Sequence, residues 1–301
     1  MNQGLRRGFK LRAPQYIFAV YVLLPIVAMF VTIRIIPILG TLFLGFHRWD
    51  LVDPAKPFIG FKNYIKLFHD RLFIIAIKNT CMLAFLSLVI TLGTSLGLAL
   101  ILNRKEMRGG SVYESVYFLP FIISWVPLSV IWKWMYDPGY GILNYAISFI
   151  GIPAQGWLVN PDLALYSIVL LVVWRSLGLD VVLFSVGLKN IPSEYHDAAI
   201  IDGAGGISLF RYVTLPLLKP IVLYLVVMST IINFAIFAPV FVMTIGSQAA
   251  PGNAVRVLVY DMYENGFRFL KMGYAAAESA ILLVIVLLLT LVEFASMRSE
   301  V

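Results

Sequence analysis

The segment "EYHDAAIIDGAGGISLFRYVTLPLLKP", Glu194–Pro220, is the least lipid-like long stretch in the second half of the chain, yet it lies between two strongly apolar runs. A polar bracket set between such runs belongs on one face of a membrane protein, and the composition agrees. Hydrophobic residues make up 60% of the 301 residues and charged residues 13%, with a mean hydropathy of +0.89; soluble domains carry about 25% charged residues. The net charge of +7 comes in short basic runs between apolar stretches, with no basic tract interleaved with aromatics. It therefore reads as loop charge and not as a nucleic-acid surface.

A hydrocarbon core of about 30 Å needs about 20 mostly apolar helical residues. Runs of that kind predict spans over approximately 13–36, 79–103, 115–135, 163–188, 221–245 and 272–295. The expected fold is all-α, a polytopic membrane protein with six transmembrane helices: a tail at 1–12, one membrane domain at 13–301 and an inserted loop at 190–220. The N-terminal "RRGFKLR" imitates a signal peptide, but the apolar run after it is long and lacks a small-x-small cleavage site, so it is expected to stay as the first helix. Arg6, Arg7, Lys10 and Arg12 before that helix, with "NRKEMRGG" after the second, orient both termini towards the cytoplasm. Glu194–Pro220 then faces the cytoplasm too.

Within that segment Pro192-Ser193, followed by Glu194 and Asp197, predicts a helix start capped by Ser193, with acids at the positive end of the dipole. The helix should reach Asp202, break at Gly203, Gly205 and Gly206, and give way near Ile207 to a second helix, with Pro216 and Pro220 marking the start of the fifth span. Small residues (Ala198, Ala199, Gly203, Ala204) admit another backbone closely, while Tyr195, Ile200 and Ile201 offer apolar anchors. Docking on a partner and resting on lipid headgroups both fit these residues. On the other side, "FIGFKNYIKLFHDRLF", Phe58–Phe73, predicts an amphipathic surface helix. "YDPGYGILNYAISFIGIPAQGWLVNPD", Tyr136–Asp162, predicts turns around one short helix.

The pattern "DAAIIDGAGGISLFRYVTLP" resembles the EAA loop of binding-protein-dependent ABC importer permeases: Glu-Ala-Ala, three residues, Gly, nine residues, Ile, one residue, Leu-Pro. Asp197, Ala198, Ala199, Gly203, Val213, Leu215 and Pro216 fall at that spacing, with Asp197 in place of Glu and Val213 in place of Ile. The resemblance to sugar-type permeases extends over nearly the whole chain, through "FIGFKNYIKLFHDRLFIIAIKNT", "GLKNIPSEYHDAAIIDGA" and "YENGFRFLKMGYAAAESAILL". The stretch "MTIGSQAAPGNAVRVLVYDMY" matches only loosely, lacking Gly-Gly-Pro.

The resemblance implies an ABC type I importer permease fold in a bacterial or archaeal cell (inner) membrane, in contact with lipid. It assigns ATPase coupling to Glu194, Asp197, Ala198, Ala199, Asp202, Gly203, Ala204, Leu215 and Pro216. It also implies a second, different permease subunit, two copies of a cytoplasmic ATPase that bind ATP and Mg, and an extracytoplasmic solute-binding protein. The chain itself has no Gly-Lys dipeptide and hence no phosphate-cradling loop of the G-x-x-x-x-G-K-[ST] kind, so no enzyme activity and no cofactor are expected of it.

Polar groups inside spans usually face a cavity or a partner. Trp174, Arg175, Asp180, Asn233, Phe237, Tyr274 and Glu278 therefore form the expected substrate path, aromatic faces suiting sugar C–H surfaces and polar groups suiting hydroxyls. The competing role is structural: Arg175 pairing with Asp180 or Glu278, and Asn233 bridging helices. Pro239 predicts a kink. Three separated histidines and the single Cys81 give no metal-ligand spacing and no internal disulfide. Two other classes compete with this reading: a membrane-embedded transferase, for which only Asp50-x-x-Asp53 offers an acidic pair, and a secondary transporter, which would show internal repeats.

Overall fold

The computed structural model describes residues 18–53, 55–104, 107, 109–244 and 253–298. The expected tail at 1–12 lies outside the described residues, as does much of "MTIGSQAAPGNAVRVLVYDMY". Five helices are long and apolar enough to cross a membrane: Phe18–Leu44, Arg71–Leu102, Pro161–Lys189, Gly206–Thr244 and Met272–Ser296. A sixth candidate is a pair, Val112–Ile122 and Trp125–Met135, bent by 99°.

In chain order the helices are α1 (Phe18–Leu44), α2 (Lys62–His69), α3 (Arg71–Leu102), α4 (Gly110–Ile122), α5 (Trp125–Met135), α6 (Ile142–Ser148), α7 (Pro161–Lys189), α8 (Ser193–Ile201), α9 (Gly206–Leu209), α10 (Leu215–Phe234), α11 (Ala238–Thr244), α12 (Leu258–Tyr263) and α13 (Met272–Arg298). Among the described residues the one β-type pairing is an isolated bridge between His47 and Phe58.

Four local expectations change, each for a visible reason. The surface helix read over Phe58–Phe73 is only α2. Asp70 turns extended (φ −85°, ψ 115°) and its carboxylate accepts from the Leu72 amide, so it caps a new helix and the second span starts at Arg71. The third span, read as continuous over 115–135, is α4 and α5, with Ile123 and Ser124 extended between them. Pro127 lacks the N–H that would bond the Ile123 carbonyl four residues back. In the fifth span the kink expected at Pro239 is a full break over Ala235–Phe237, and Pro239 sits in the first turn of α11. Its missing N–H likewise abandons the carbonyl of Ala235. Finally, Pro192 and not Ser193 is the N-cap of α8, and no side chain caps that end.

Two π-helical turns, Val31–Ile35 and Phe210–Thr214, each lie just before a proline, Pro37 and Pro216, in the first turn of the α-helix that follows. A widened turn accommodates the carbonyl that a proline cannot serve.

The described chain divides into two units by its internal contacts. The first comprises residues up to Ile65 with Asn265–Ala280, and the second Lys66–Glu264 with residues from Ile281 on. In the first unit the Asn63 amide donates to the carbonyls of Gly45 (2.9 Å), His47 (3.0 Å) and Gly273 (3.2 Å). It thereby joins "FIGFKN" to "KMGY", two stretches far apart in sequence. A Cβ on Gly273 would collide with the His47 carbonyl, so only glycine permits this approach.

In the second unit α7 is the central helix. Leu83, Leu128, Trp132, Ile168, Leu171, Val172 and Val240 form one apolar core, and Ala99, Phe184, Leu218 and Leu225 another. Gly178 brings α7 onto the backbone of α4, where a Cβ would overlap the Tyr117 carbonyl, and Gly187 receives Ile221 and Leu218 of α10. Lys189 pairs with Glu114 at 3.0 Å, and Asn103 donates to Ser185 at 2.8 Å.

The segment after residue 252 is fixed to the start of α3. The Asn79 amide donates to the carbonyls of Asn253, Ala254 and Arg256 (3.0–3.1 Å), and the Leu258 amide donates to Thr80 Oγ1 at 2.9 Å. Arg256 is itself buried between Asp261 (Nε to Oδ1, 2.6 Å) and Glu264 (2.9 Å). Burial alone disfavours the guanidinium charge, but the two carboxylates outweigh it and hold Arg256 above the ordinary arginine range.

Two substitutions test this packing. Gly178→Val should destabilise the protein by about 1–3 kcal/mol or more, because the α4 backbone cannot yield as a side chain would; the thermal midpoint in detergent measures it. Arg256→Ala leaves two buried carboxylates facing each other and should cost about 3–5 kcal/mol, seen as a lowered midpoint and as protease cleavage near residues 253–264.

Candidate functional site

The polar segment first. α8 ends in a Schellman motif: with Asp202 as C-cap, the Gly203 amide donates to the Ile200 carbonyl (3.0 Å) and the Ala204 amide to the Ala199 carbonyl (2.9 Å). Gly203 adopts φ +82°, and a Cβ there would meet nothing within 4 Å. Its requirement for glycine is thus conformational, since the space is open. Gly205 is extended and starts α9. The two helices meet at this glycine bend, and His196 Nε2 lies 3.4 Å from Thr214 Oγ1 at the base of the long helix.

The outward side of this bracket is bare. No residue of α8 is buried, and Tyr195, Ile200, Ile201, Ile207 and Tyr212 are exposed, Ile201 and Ile207 by more than four-fifths. Glu194, Asp197, Ala198, Asp202, Gly203, Leu215 and Pro216 are exposed and Ala199 and Ala204 half-buried. The predicted coupling residues lie on α8, on its glycine bend and, beyond α9 and the π-helical turn, at the start of α10. Contiguous apolar exposure on so short a segment marks a contact surface.

The second candidate is a cavity of about 60 Å³, lined by residues of α4, α7 and α10 that include Phe121, Arg175, Ser176, Asp180, Tyr224 and Asn233. Three of the predicted path residues, Arg175, Asp180 and Asn233, meet here. Trp174 does not line it and packs on Trp132 at 5.4 Å. Phe237 instead stacks on Phe241 (5.0 Å) and Tyr263 (5.2 Å). Tyr274 and Glu278 are buried at the start of α13, where Glu278 Oε1 accepts from Asn265 at 2.8 Å.

Arg175 lines this cavity, but the ion pair expected of it with Asp180 is absent. Nη2 donates to the Phe121 carbonyl (3.0 Å) and Nε to the Ile123 carbonyl (3.3 Å). The guanidinium also lies 4.2 Å from the Trp125 ring centroid and 5.0 Å from that of Phe121. These carbonyls are the ones released where α4 breaks, and a guanidinium fork suits a negative helix end flanked by aromatics. Asp180 is 4% exposed, and its Oδ2 has no hydrogen-bond partner among the described residues.

Sequence reading missed Ser176, Tyr224 and Ser229 as cavity residues and treated Arg256 only as a loop charge. A signal for the first group existed: Ser176/Asp180 and Ser229/Asn233 are i, i+4 pairs, which place polar groups in rows on helix faces. Nothing local marks the Arg256–Asp261–Glu264 cluster as buried, since spacings of five and eight also suit a solvated helix face.

Residues 90–298 match the family described as "Binding-protein-dependent transport system inner membrane component". The chain is 35% identical over 261 residues to the probable ABC transporter permease protein YurN of Bacillus subtilis, covering 86% of this chain and 88% of that one. It is 31% identical to the trehalose/maltose transport system permease protein MalF of Thermococcus litoralis, covering 90% of each. In fold it is similar to a crystal structure of a bacterial ABC transporter that imports the acidic polysaccharide alginate, with a TM-score of 0.80 at 23% identity and coverage of 98% of this chain and 99% of that one. With six membrane-span candidates, an apolar bracket left bare and a matched region reaching from the second span to the last, the chain belongs to the family of binding-protein-dependent transport system inner membrane components.

Proposed function

We propose that this chain is the sugar-translocating permease subunit of an ATP-driven importer, coupled to a cytoplasmic ATPase through α8 and its glycine bend. The observation that carries the coupling role is the bracket: a helix with no buried residue, closed by a Schellman turn at Gly203 and bearing exposed Ile200, Ile201 and Ile207. The sugar cargo rests on relatives such as the trehalose/maltose permease. ATP and Mg would be bound by the separate ATPase, two copies of which would bind two such brackets. The family assignment sets aside the transferase and secondary-transporter readings.

A second permease would complete the path. The cavity in one chain has room for a few waters and not for a sugar ring, and the described residues of α1 up to Gly40 are exposed along their length, a lipid-facing or partner-facing surface. With both termini in the cytoplasm, the solute-binding protein would deliver cargo at the face opposite α8, where the 137–158 loop is held by Asn144. That side chain donates to the Gln155 carbonyl (3.0 Å) and accepts from Trp157 Nε1 (2.9 Å).

The test uses two substitutions at one position. Gly203→Val forces a β-branched residue into the left-handed region, at about 1–2 kcal/mol or more, whereas Gly203→Asn tolerates it. Tagged chain purified in mild detergent should bring down a second permease and an ATPase. Gly203→Val should reduce the recovered ATPase and the binding-protein-stimulated ATP hydrolysis several-fold, and Gly203→Asn should retain most of both. Equal recovery and hydrolysis for Gly203→Val and the native chain would refute the coupling role.

A further inference from the structure

The loop between α5 and α7, on the side opposite α8, turns an apolar face outward. Ile142, Tyr145, Ala146 and Phe149 form one exposed stripe on α6 at i, i+3, i+4 and i+7. Ile142, Tyr145, Phe149 and the following Ile150 are each more than half exposed, and the Tyr145 and Phe149 rings meet edge to face at 4.8 Å. The other face is fixed to the molecule. Leu143 packs on the apolar core, and the buried Asn144 accepts from the Gln155 amide (3.0 Å) and from Trp157 Nε1 (2.9 Å). Residues 138–161 contain no Lys, Arg, His, Asp or Glu. A water-facing loop of that length would carry about six charges at the usual 25%, so water is not the medium this face suits.

The depth of α6 follows from α7. The Trp157 carbonyl accepts from Ser167 Oγ at 2.9 Å, and Lys189, twenty-two residues after Ser167, marks the bracket end of the helix through its ion pair with Glu114. That interval measures about 33 Å along the axis, against a hydrocarbon core of about 30 Å. α6 therefore lies where hydrocarbon gives way to headgroups on the side opposite α8. Trp134 and Tyr166, both exposed, stand near the same level, since the Tyr136 hydroxyl donates to the Ser167 carbonyl at 2.7 Å. Exposed tryptophan and tyrosine concentrate at that boundary. Tyr166 and Leu170, an exposed i, i+4 pair on α7, carry the apolar surface from that level into the span.

We infer that α6 is an interfacial anchor, seated with Ile142, Tyr145 and Phe149 in the lipid leaflet opposite α8, and that it holds that end of α7 at a set depth. The occupant is lipid because the stripe offers apolar area at the level of the acyl boundary and no charge at all, and binding of a helix face to that boundary grows with the apolar area buried. A solute-binding protein that arrives and leaves meets surfaces about as polar as the rest of a protein, which this stripe is not. The staple through Asn144, Trp157 and Ser167 then passes the hold of the leaflet to α7. The inference goes beyond the importer reading and needs only the membrane family.

The experiment uses the chain with the subunits that copurify with it, in bilayers of zwitterionic phospholipid. The exposed native cysteine is first removed by Cys81→Ser. A nitroxide is then attached at Tyr145→Cys, at Phe149→Cys or, as the water-facing reference, at Asp162→Cys, which is exposed in the first turn of α7. Power saturation compares collisions with oxygen, which concentrates in lipid, and with a water-soluble nickel chelate. The oxygen-to-nickel ratio on α6 should exceed that of the reference several-fold, at a depth of about 5–10 Å, and adding the solute-binding protein should leave it unchanged. A thermal midpoint equal to that of the Cys81→Ser parent shows that a labelled variant is folded, and Ile142→Cys replaces either site that fails this check. Ratios equal to the reference overturn the inference. Nickel access that only the solute-binding protein removes also overturns it and makes the stripe a docking face. Labels shielded from both oxygen and nickel overturn it in favour of a covering permease subunit.

Discussion

A backbone carbonyl released inside an apolar medium has no water to bond, and the helix breaks in this protein are organised around that constraint. Arg175 takes the carbonyls of Phe121 and Ile123 where α4 stops. Asn79 takes those of Asn253, Ala254 and Arg256, and Asn63 those of Gly45, His47 and Gly273. One side chain gathering two or three acceptors does more than satisfy them. It also ties each irregular segment to a helix distant in sequence. The 99° bend between α4 and α5 is therefore a built feature: Pro127 removes the native donor, and Arg175 replaces it from a different helix.

The same constraint explains which parts of the fold were legible in the sequence. Apolar runs report long helices directly, and five of the predicted runs overlap helices long and apolar enough to cross a membrane, the second and fifth of which begin well before the predicted bounds; the glycine bend announces itself through Gly203, Gly205 and Gly206. Breaks are another matter. A run such as Ser115–Trp132 stays apolar through the bend, because lipid and protein interior are equally apolar, and hydropathy cannot distinguish one straight helix from two bent ones. Pro120 and Pro127 were the available signals, yet prolines are tolerated in membrane helices when neighbours serve the freed carbonyl. Whether a neighbour does so depends on Arg175, some fifty residues away, and that pairing is written only in three dimensions.

The candidate sites divide along similar lines. The bracket is local in sequence, and its spacing pattern is readable from residues 197–216 alone. The cavity is assembled from three helices, and only its charged and amide members were foreseeable. Arg175 is the instructive case: an arginine in a span invites assignment to an anionic cargo or a carboxylate partner, whereas its Nε and Nη2 donate to backbone carbonyls. Its proximity to Asp180 in sequence, five residues apart on one helix, suggested an ion pair that the i, i+5 relation does not favour, since side chains three or four apart are the ones that share a face.

Bracket and cavity are linked by α7. Arg175 stands fourteen residues before Lys189, about 21 Å along the helix axis, and α8 begins four residues beyond Lys189. Over that length α7 is held to α4 at three levels: Lys189 on Glu114, Gly178 against the Tyr117 carbonyl, and Arg175 on the Phe121 and Ile123 carbonyls. The contact at Gly178 is backbone against helix with no side chain between them, and such contacts slide poorly. On the proposed coupling role, a displacement of α8 would be delivered to α7 and α4 together, and with them to the cavity wall that carries Arg175 and Asp180.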